Sequence, residues 1–354
     1  MKMKNMVAVN KILELGDWAK IAIDDVVTTF SNKKTSHKSS WTYMLKHQLN
    51  HVGLDCDVLT KADNVHDYDA WFIALPMEFA GSYNLFGGAS DETAERIQRL
   101  LDFKGPIFCI NREMPDIGKF AESRMKSCQP KWAALDVQKL SEISNNIETL
   151  DLTLESDIFV LGDSHSVSAY KPGANISRND GKTLYGVLKE GMQNYIPQGT
   201  RHLISYFGNI DVRHHLCRQA DPIYSATELA KNYVSHLKDL NIPQITVVGL
   251  LPIEYEERRI PKTGWHKGTP FIGSQKERTE VMKAFNATLK EKCLEKGWEF
   301  KEWPEHWYTA HPKEFADTYM EKPGSVHLSR QYYHYDFDSG KENGELKQKV
   351  MSLF

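Results

Sequence analysis

Asp163, Ser164, His165 and Ser166 follow one another without a break. A carboxylate, two hydroxyls and an imidazole in one short stretch are the residue types of nucleophilic and acid–base chemistry. A second cluster, Gly208-Asn209-Ile210-Asp211-Val212-Arg213, adds an amide, a carboxylate and a guanidinium. His47 and His51 stand four apart, a spacing that can grip a metal ion. Gln48 follows His47 where a zinc protease needs glutamate, so surface or internally bonded histidines are the simpler reading. The cysteines, Cys56, Cys109, Cys128, Cys217 and Cys293, are scattered and form no Cys-x-x-Cys pair. Their odd number and spacing read as reduced thiols of a cytoplasmic protein, without a disulfide frame or zinc site. Nothing in the sequence calls for a metal or cofactor.

The polar residues at 163–166 need an element to present them. Ile158, Phe159, Val160 and Leu161 form a continuous apolar run, the mark of a strand buried on both faces. The run breaks at Gly162, so the strand delivers Asp163 and Ser164 to the carboxyl edge of its sheet, where open α/β folds carry their chemistry. The run at 202–207 repeats the design and breaks at Gly208. Further strands are predicted from Gln244 and at Phe300. Helices are expected over 183–194, 223–240 and 277–296, the last burying Met282, Phe285, Leu289 and Cys293. Residues 165–181 read as a polar connection.

The first half has the same grammar. Strands are expected over 20–27, 56–59, 69–75 and 107–110. Trp41, Leu45, Leu49 and Val52 mark a helix that Gly53 stops. A second helix over 90–103 has Ser90 as its N-cap, with Asp91 and Glu92 in its first turn. Residues 116–156 read as a connection with one helix over 137–147. Strands alternating with helices predict an α/β fold with two domains, 1–150 and 151–354.

The 354 residues are 41% hydrophobic and 26% charged, with a net charge of −3, the composition of a water-soluble globular protein. No overall field draws such a chain to nucleic acid or membrane. Only the basic segment with Lys33, Lys34, His37 and Lys38 could touch phosphate, and a solvated charge run explains it as simply. No apolar run approaches the ~18 residues of a spanning helix. The first ten residues lack the sustained apolar core of a signal peptide, so no membrane association is expected. Oligomeric state is not legible.

Gly162-Asp163-Ser164 resembles the first block of the SGNH (GDSL-type) hydrolases, whose nucleophile is that serine. Gly208-Asn209-Ile210-Asp211 resembles the third block, in a variant that continues through Val212-Arg213 into histidines. The position of the usual oxyanion asparagine holds Ile210, and Asn209 falls one residue early. His327-Leu328-Ser329 resembles the last block, with His327 as general base; Gly324 stands where the orienting aspartate is expected. The resemblance implies a flavodoxin-like α/β/α sandwich with a mainly parallel sheet. It implies an oxyanion hole from Gly186 and the N–H of Ser164, with Asn209 as a further donor. Gly208, Asp211 and Arg213 stand with these as oxyanion or substrate-binding candidates. His327 would need another orienter, a backbone carbonyl or a carboxylate such as Asp317. Asp163 fits better as an acceptor for N–H groups at the turn than as an acid.

Residues 20–115 resemble the N-terminal Rossmann-like domain of the DNA β-glucosyltransferases of T-even phages. The likeness rests on Lys20-Ile-Ala-Ile23, the 45–59 helix and strand, Asp67-Tyr68-Asp69, Phe86-Gly87-Gly88 and Pro115. The family's catalytic aspartate matches Asn111, a neutral amide that cannot accept the proton. This half therefore reads as kept for shape or binding.

Together these features imply a serine-dependent ester hydrolase or acyltransferase of SGNH type, of phage origin. Its substrate would be a small-molecule or glycan ester, or a modified nucleic acid met through Lys33, Lys34 and Lys38. Two other readings stay open: a non-catalytic binding or structural protein that retains both folds, and a divergent glycosyltransferase.

Overall fold

The computed structural model describes residues 7–8, 20–25, 40–51, 53–59, 63–74, 91–110, 113–125, 130–150, 152–153, 156–255, 268, 271–321, 325–336 and 341–342. The basic segment at 33–38, Phe86 to Gly88, Asn111 and Gly324 lie outside the described residues. Two compact units part between residues 155 and 156. No helix among the described residues is long and apolar enough to cross a membrane.

The first unit contains β1 (Ile21–Asp25), α1 (Ser40–His51), β2 (Cys56–Val58), β3 (Ala70–Ala74), α2 (Asp91–Asp102) and β4 (Ile107–Ile110). After these come α3 (Ile117–Met125), α4 (Val137–Asn146) and β5 (Glu148–Leu150). All five strands pair in parallel in the order β2-β1-β3-β4-β5. The period-two alternation of β1 sorts its side chains. Ile21 and Ile23 pack with Leu45, Leu49 and Phe72, while Ala22 faces Trp71, Ile97 and Leu100. The segment expected to be a connection with one helix also holds α3 and the edge strand β5. Glu148-Thr149-Leu150 has too few apolar residues to announce a strand; pairing with Phe108, Cys109 and Ile110 makes it one.

The second unit contains β6 (Ile158–Gly162), β7 (Asn175–Arg178), α5 (Leu184–Glu190), β8 (His202–Tyr206), α6 (Asn209–His214) and α7 (Pro222–Asp239). It continues with β9 (Gln244–Val248), α8 (Gln275–Glu295), β10 (Glu299–Lys301), α9 (Glu305–Thr309) and α10 (Pro312–Tyr319). Its sheet is again wholly parallel, in the order β10-β9-β8-β6-β7. The helix starts follow from capping: Thr183 caps α5 and Asp221 caps α7 ahead of Pro222. Ser274 and Glu277 form a full capping box on α8. β7 falls inside the stretch read as polar connection, because Asn-Ile-Ser-Arg carries one apolar residue on an edge strand.

The chain leaves β6 toward β7 at one edge, then crosses back over β6 to β8 and continues outward to β9 and β10. The direction of winding therefore reverses between β6 and β8. In an open α/β sheet that reversal opens a crevice outside the carboxyl ends of the two strands. β6 ends at Gly162 and β8 at Tyr206, so both polar clusters of the sequence meet at the crevice.

Candidate active site

The two central strands run close together where they end. A Cβ on Gly162 would lie 2.3 Å from the Tyr206 carbonyl oxygen, so no larger residue fits there. The Asp163 N–H donates to that same carbonyl at 3.2 Å, and the Ser166 N–H donates to the Asp163 carbonyl at 3.0 Å. The Asp163 side chain accepts the His165 N–H at 2.9 Å, an Asx-type turn that fixes the backbone on either side of Ser164.

Ser164 is 8% exposed, and its Oγ lies 2.9 Å from Nε2 of His327. Two residues 163 positions apart thus meet in hydrogen-bond contact. His327 is brought there by the return of the chain after α10. Met320 bridges Leu328 in antiparallel fashion, the Glu321 N–H donates to the His327 carbonyl at 3.0 Å, and the Ser329 N–H donates to the Tyr319 carbonyl at 2.8 Å. The His327 N–H donates to Ser325 Oγ at 3.1 Å, and that hydroxyl donates to Glu321 Oε1 at 2.7 Å. Glu321 Oε1 also stands 4.0 Å from Nδ1 of His327.

Glu321 was missed in the sequence because the motif places its carboxylate three residues before the histidine. Here the carboxylate comes six residues earlier and reaches His327 across a bridge. It is the one acidic residue between Asp317 and His327, which is the signal that could have found it. Asp317 does not orient His327. It is half exposed and pairs with Lys313 at 2.7 Å on the outside of α10.

Asp163 is fully buried. Its carboxylate contacts Nδ1 of His165 at 2.9 Å and accepts from Nδ2 of Asn209 at 3.2 Å. Burial alone would raise the Asp163 carboxyl, but the neighbouring His165 charge and N–H groups outweigh it and hold the group below its ordinary range. It braces the turn by accepting the His165 N–H.

Asn209 reaches the Asp163–Ser164 turn although it is one residue early. Gly208 adopts φ +118°, a left-handed turn that an L side chain resists, and the turn starts α6 at Asn209. Ile210 is buried instead. Gly208 serves this turn and the close packing of the Phe285 ring.

Gly186 is corrected as an oxyanion donor. It sits in the first turn of α5, where its N–H donates to the capping hydroxyl of Thr183 at 3.0 Å. Asp211 is committed in the same way, accepting the N–H groups of Leu184 at 2.7 Å and Tyr185 at 3.2 Å. Burial pushes the Asp211 carboxyl up to about 6 against the pull of those two N–H groups.

Arg213 is buried, donates from Nε to the Asn209 carbonyl at 3.1 Å, and stands 3.9 Å from Glu254. With His165, Asn209, Glu254, Met320 and Val326 it lines a narrow cavity. Among the described residues no group of histidine, cysteine and carboxylate side chains is arranged to hold a metal ion.

No protein-family model and no curated protein matches the chain. Among solved structures it is similar to a GDSL-like lipase from Bacteroides thetaiotaomicron VPI-5482, at 14% identity over 56% of this chain and 88% of that one, TM-score 0.37. A carbohydrate acetylesterase from Sinorhizobium meliloti matches at 13% identity over 56% and 99%, TM-score 0.32. A gut microbial diltiazem-metabolizing enzyme matches at 17% identity over 43% of this chain, TM-score 0.30, and this chain spans 37% of its length. At the carboxyl edge of the second sheet, then, a serine hydroxyl and an imidazole from opposite ends of one unit stand in contact, with an amide and a buried carboxylate beside them.

Proposed function

We propose that the second unit is a serine esterase of SGNH type. The observation that carries this reading is the 2.9 Å contact between Ser164 Oγ and His327 Nε2 at the switch point of the sheet. In the proposed reaction Ser164 Oγ attacks an ester carbonyl while His327 takes its proton. The tetrahedral oxyanion is held by the N–H of Ser164 and by Asn209, whose Nδ2 carries a second hydrogen beyond the one turned to Asp163. Each such donor is worth about 3 kcal/mol of barrier. His327 returns the proton to the departing alcohol, leaving an acyl-serine. Water or an acceptor alcohol, activated by the same imidazole, then releases the acyl group. Glu321 takes the part that Gly324 leaves open, stabilising the imidazolium from its Nδ1 side.

For the substrate, we infer an O-acyl group on a glycan or a modified nucleic acid, in a cytoplasmic and phage-related setting. The support is the resemblance of residues 20–115 to phage DNA glucosyltransferases, which is an analogy of fold and says nothing of the site. Hydrolysis of p-nitrophenyl acetate by the wild-type protein and by Ser164→Ala tests the reaction. Turnover in the first and its loss in the folded second support the reading, and equal rates in both refute it. Release of acetate from O-acetylated glycans, compared with simple alkyl acetates, tests the substrate.

A further inference from the structure

His165 sits immediately after Ser164, yet nothing in the proposed reaction uses it. The ring is 4% exposed and bonded at both ends. Its Nδ1 lies 2.9 Å from Asp163 Oδ1 and its Nε2 lies 2.9 Å from the carbonyl oxygen of Val326. A backbone carbonyl can only accept, so Nε2 donates to Val326. The imidazole thus spans from the buried Asp163 carboxylate to the peptide bond before His327.

Two contacts run side by side between the same two short segments. Ser164 meets His327 at 2.9 Å, and the next residue, His165, meets the preceding residue, Val326, at the same distance. The two imidazole rings lie 4.8 Å apart at 34°. One rung of this ladder carries the chemistry. The other ties the loop that bears the base to the turn that bears the nucleophile.

We propose that His165 is a positioning residue that sets the place of His327 relative to Ser164 through the Val326 carbonyl. The assignment rests on the esterase reading for its kinetic consequences, though its geometric content stands apart from that reading. Shape and reach separate it from a histidine that merely fills the interior. Glutamine at 165 can still donate to the Val326 carbonyl. Asparagine reaches Asp163 only, and leucine fills the space with no donor at all.

The experiment compares His165→Gln, His165→Asn and His165→Leu by p-nitrophenyl acetate kinetics, melting temperature and crystal structure. Misplacing a reacting group by about 1 Å costs roughly 100-fold in rate. The expected result is a kcat lowered about 10- to 100-fold in the leucine and asparagine variants, with KM within about twofold and most of kcat restored in the glutamine variant. In the folded leucine or asparagine variant the Ser164–His327 contact should open beyond hydrogen-bond reach. An unchanged contact, or equal behaviour of the glutamine and asparagine variants, overturns the proposal. Should leucine prevent folding, the glutamine and asparagine pair decides alone. If Ser164→Ala proves as active as wild type, the esterase reading falls, while the crystallographic distance still judges His165.

Discussion

The Glu321 carboxylate stands 4.0 Å from Nδ1 of His327, on the opposite side of the ring from Ser164. That separation is an ion-pair distance and too long for a hydrogen bond, so the carboxylate acts on the imidazolium mainly by charge. Removing the acid of a full triad costs about 10,000-fold in kcat. Here Glu321→Gln should cost less, roughly 10- to 1000-fold, with KM little changed. Asp317→Ala, which removes a half-exposed pair with Lys313, should leave kcat unaltered. Steady-state ester hydrolysis by the two variants decides between them.

Asn209 and Gly186 were both expected to hold the oxyanion, and they now make opposite forecasts. Asn209→Ala should lower kcat by roughly 100- to 1000-fold, as loss of one such donor does elsewhere. Gly186→Ala should keep activity within about threefold. Its N–H already serves the Thr183 cap, and alanine in a helical turn changes stability by about 1 kcal/mol or less. Parallel kcat and melting-temperature measurements check both.

Strands buried on both faces, such as Ile158 to Leu161, write themselves as unbroken apolar runs, so the sheet centres and both polar clusters were legible. The edge strands β5 and β7 were not, because a strand with one neighbour needs little apolar surface. At the site, Ser164 and His327 could be read from local motifs. Glu321 and His165 depend on a bridge and a carbonyl contact. Each is a relation between distant backbones that no local spacing encodes. Gly186 misled because a glycine in a first turn looks the same whether its N–H faces a ligand or a cap.

His334 gives a stability forecast with a definite sign. It is buried, stacked on Trp303 with ring centroids 3.9 Å apart, and burial followed by the Lys301 charge holds its pKa well below the ordinary value of 6.5. Below about 6.5 the unfolded chain takes up a proton that the folded one refuses. Stability contributed here is therefore present above that pH and lost as pH falls, by up to about 1.4 kcal/mol per unit. His202 and His215 shift in the same direction, and Asp211, raised by burial, opposes them by losing stability as pH rises through about 6. His334→Phe keeps the stack and should flatten the loss of unfolding free energy between pH 7 and pH 5 by about one proton. Denaturant titrations at the two pH values measure it, and an unchanged slope contradicts the assignment.

The central claim is that Ser164 is a nucleophile activated by His327. A fluorophosphonate probe followed by intact-protein and peptide mass spectrometry tests it most directly. The account predicts one adduct, on Ser164, absent in Ser164→Ala and strongly slowed in His327→Ala. A well-folded wild-type protein that gains no adduct, or gains it elsewhere, would contradict it.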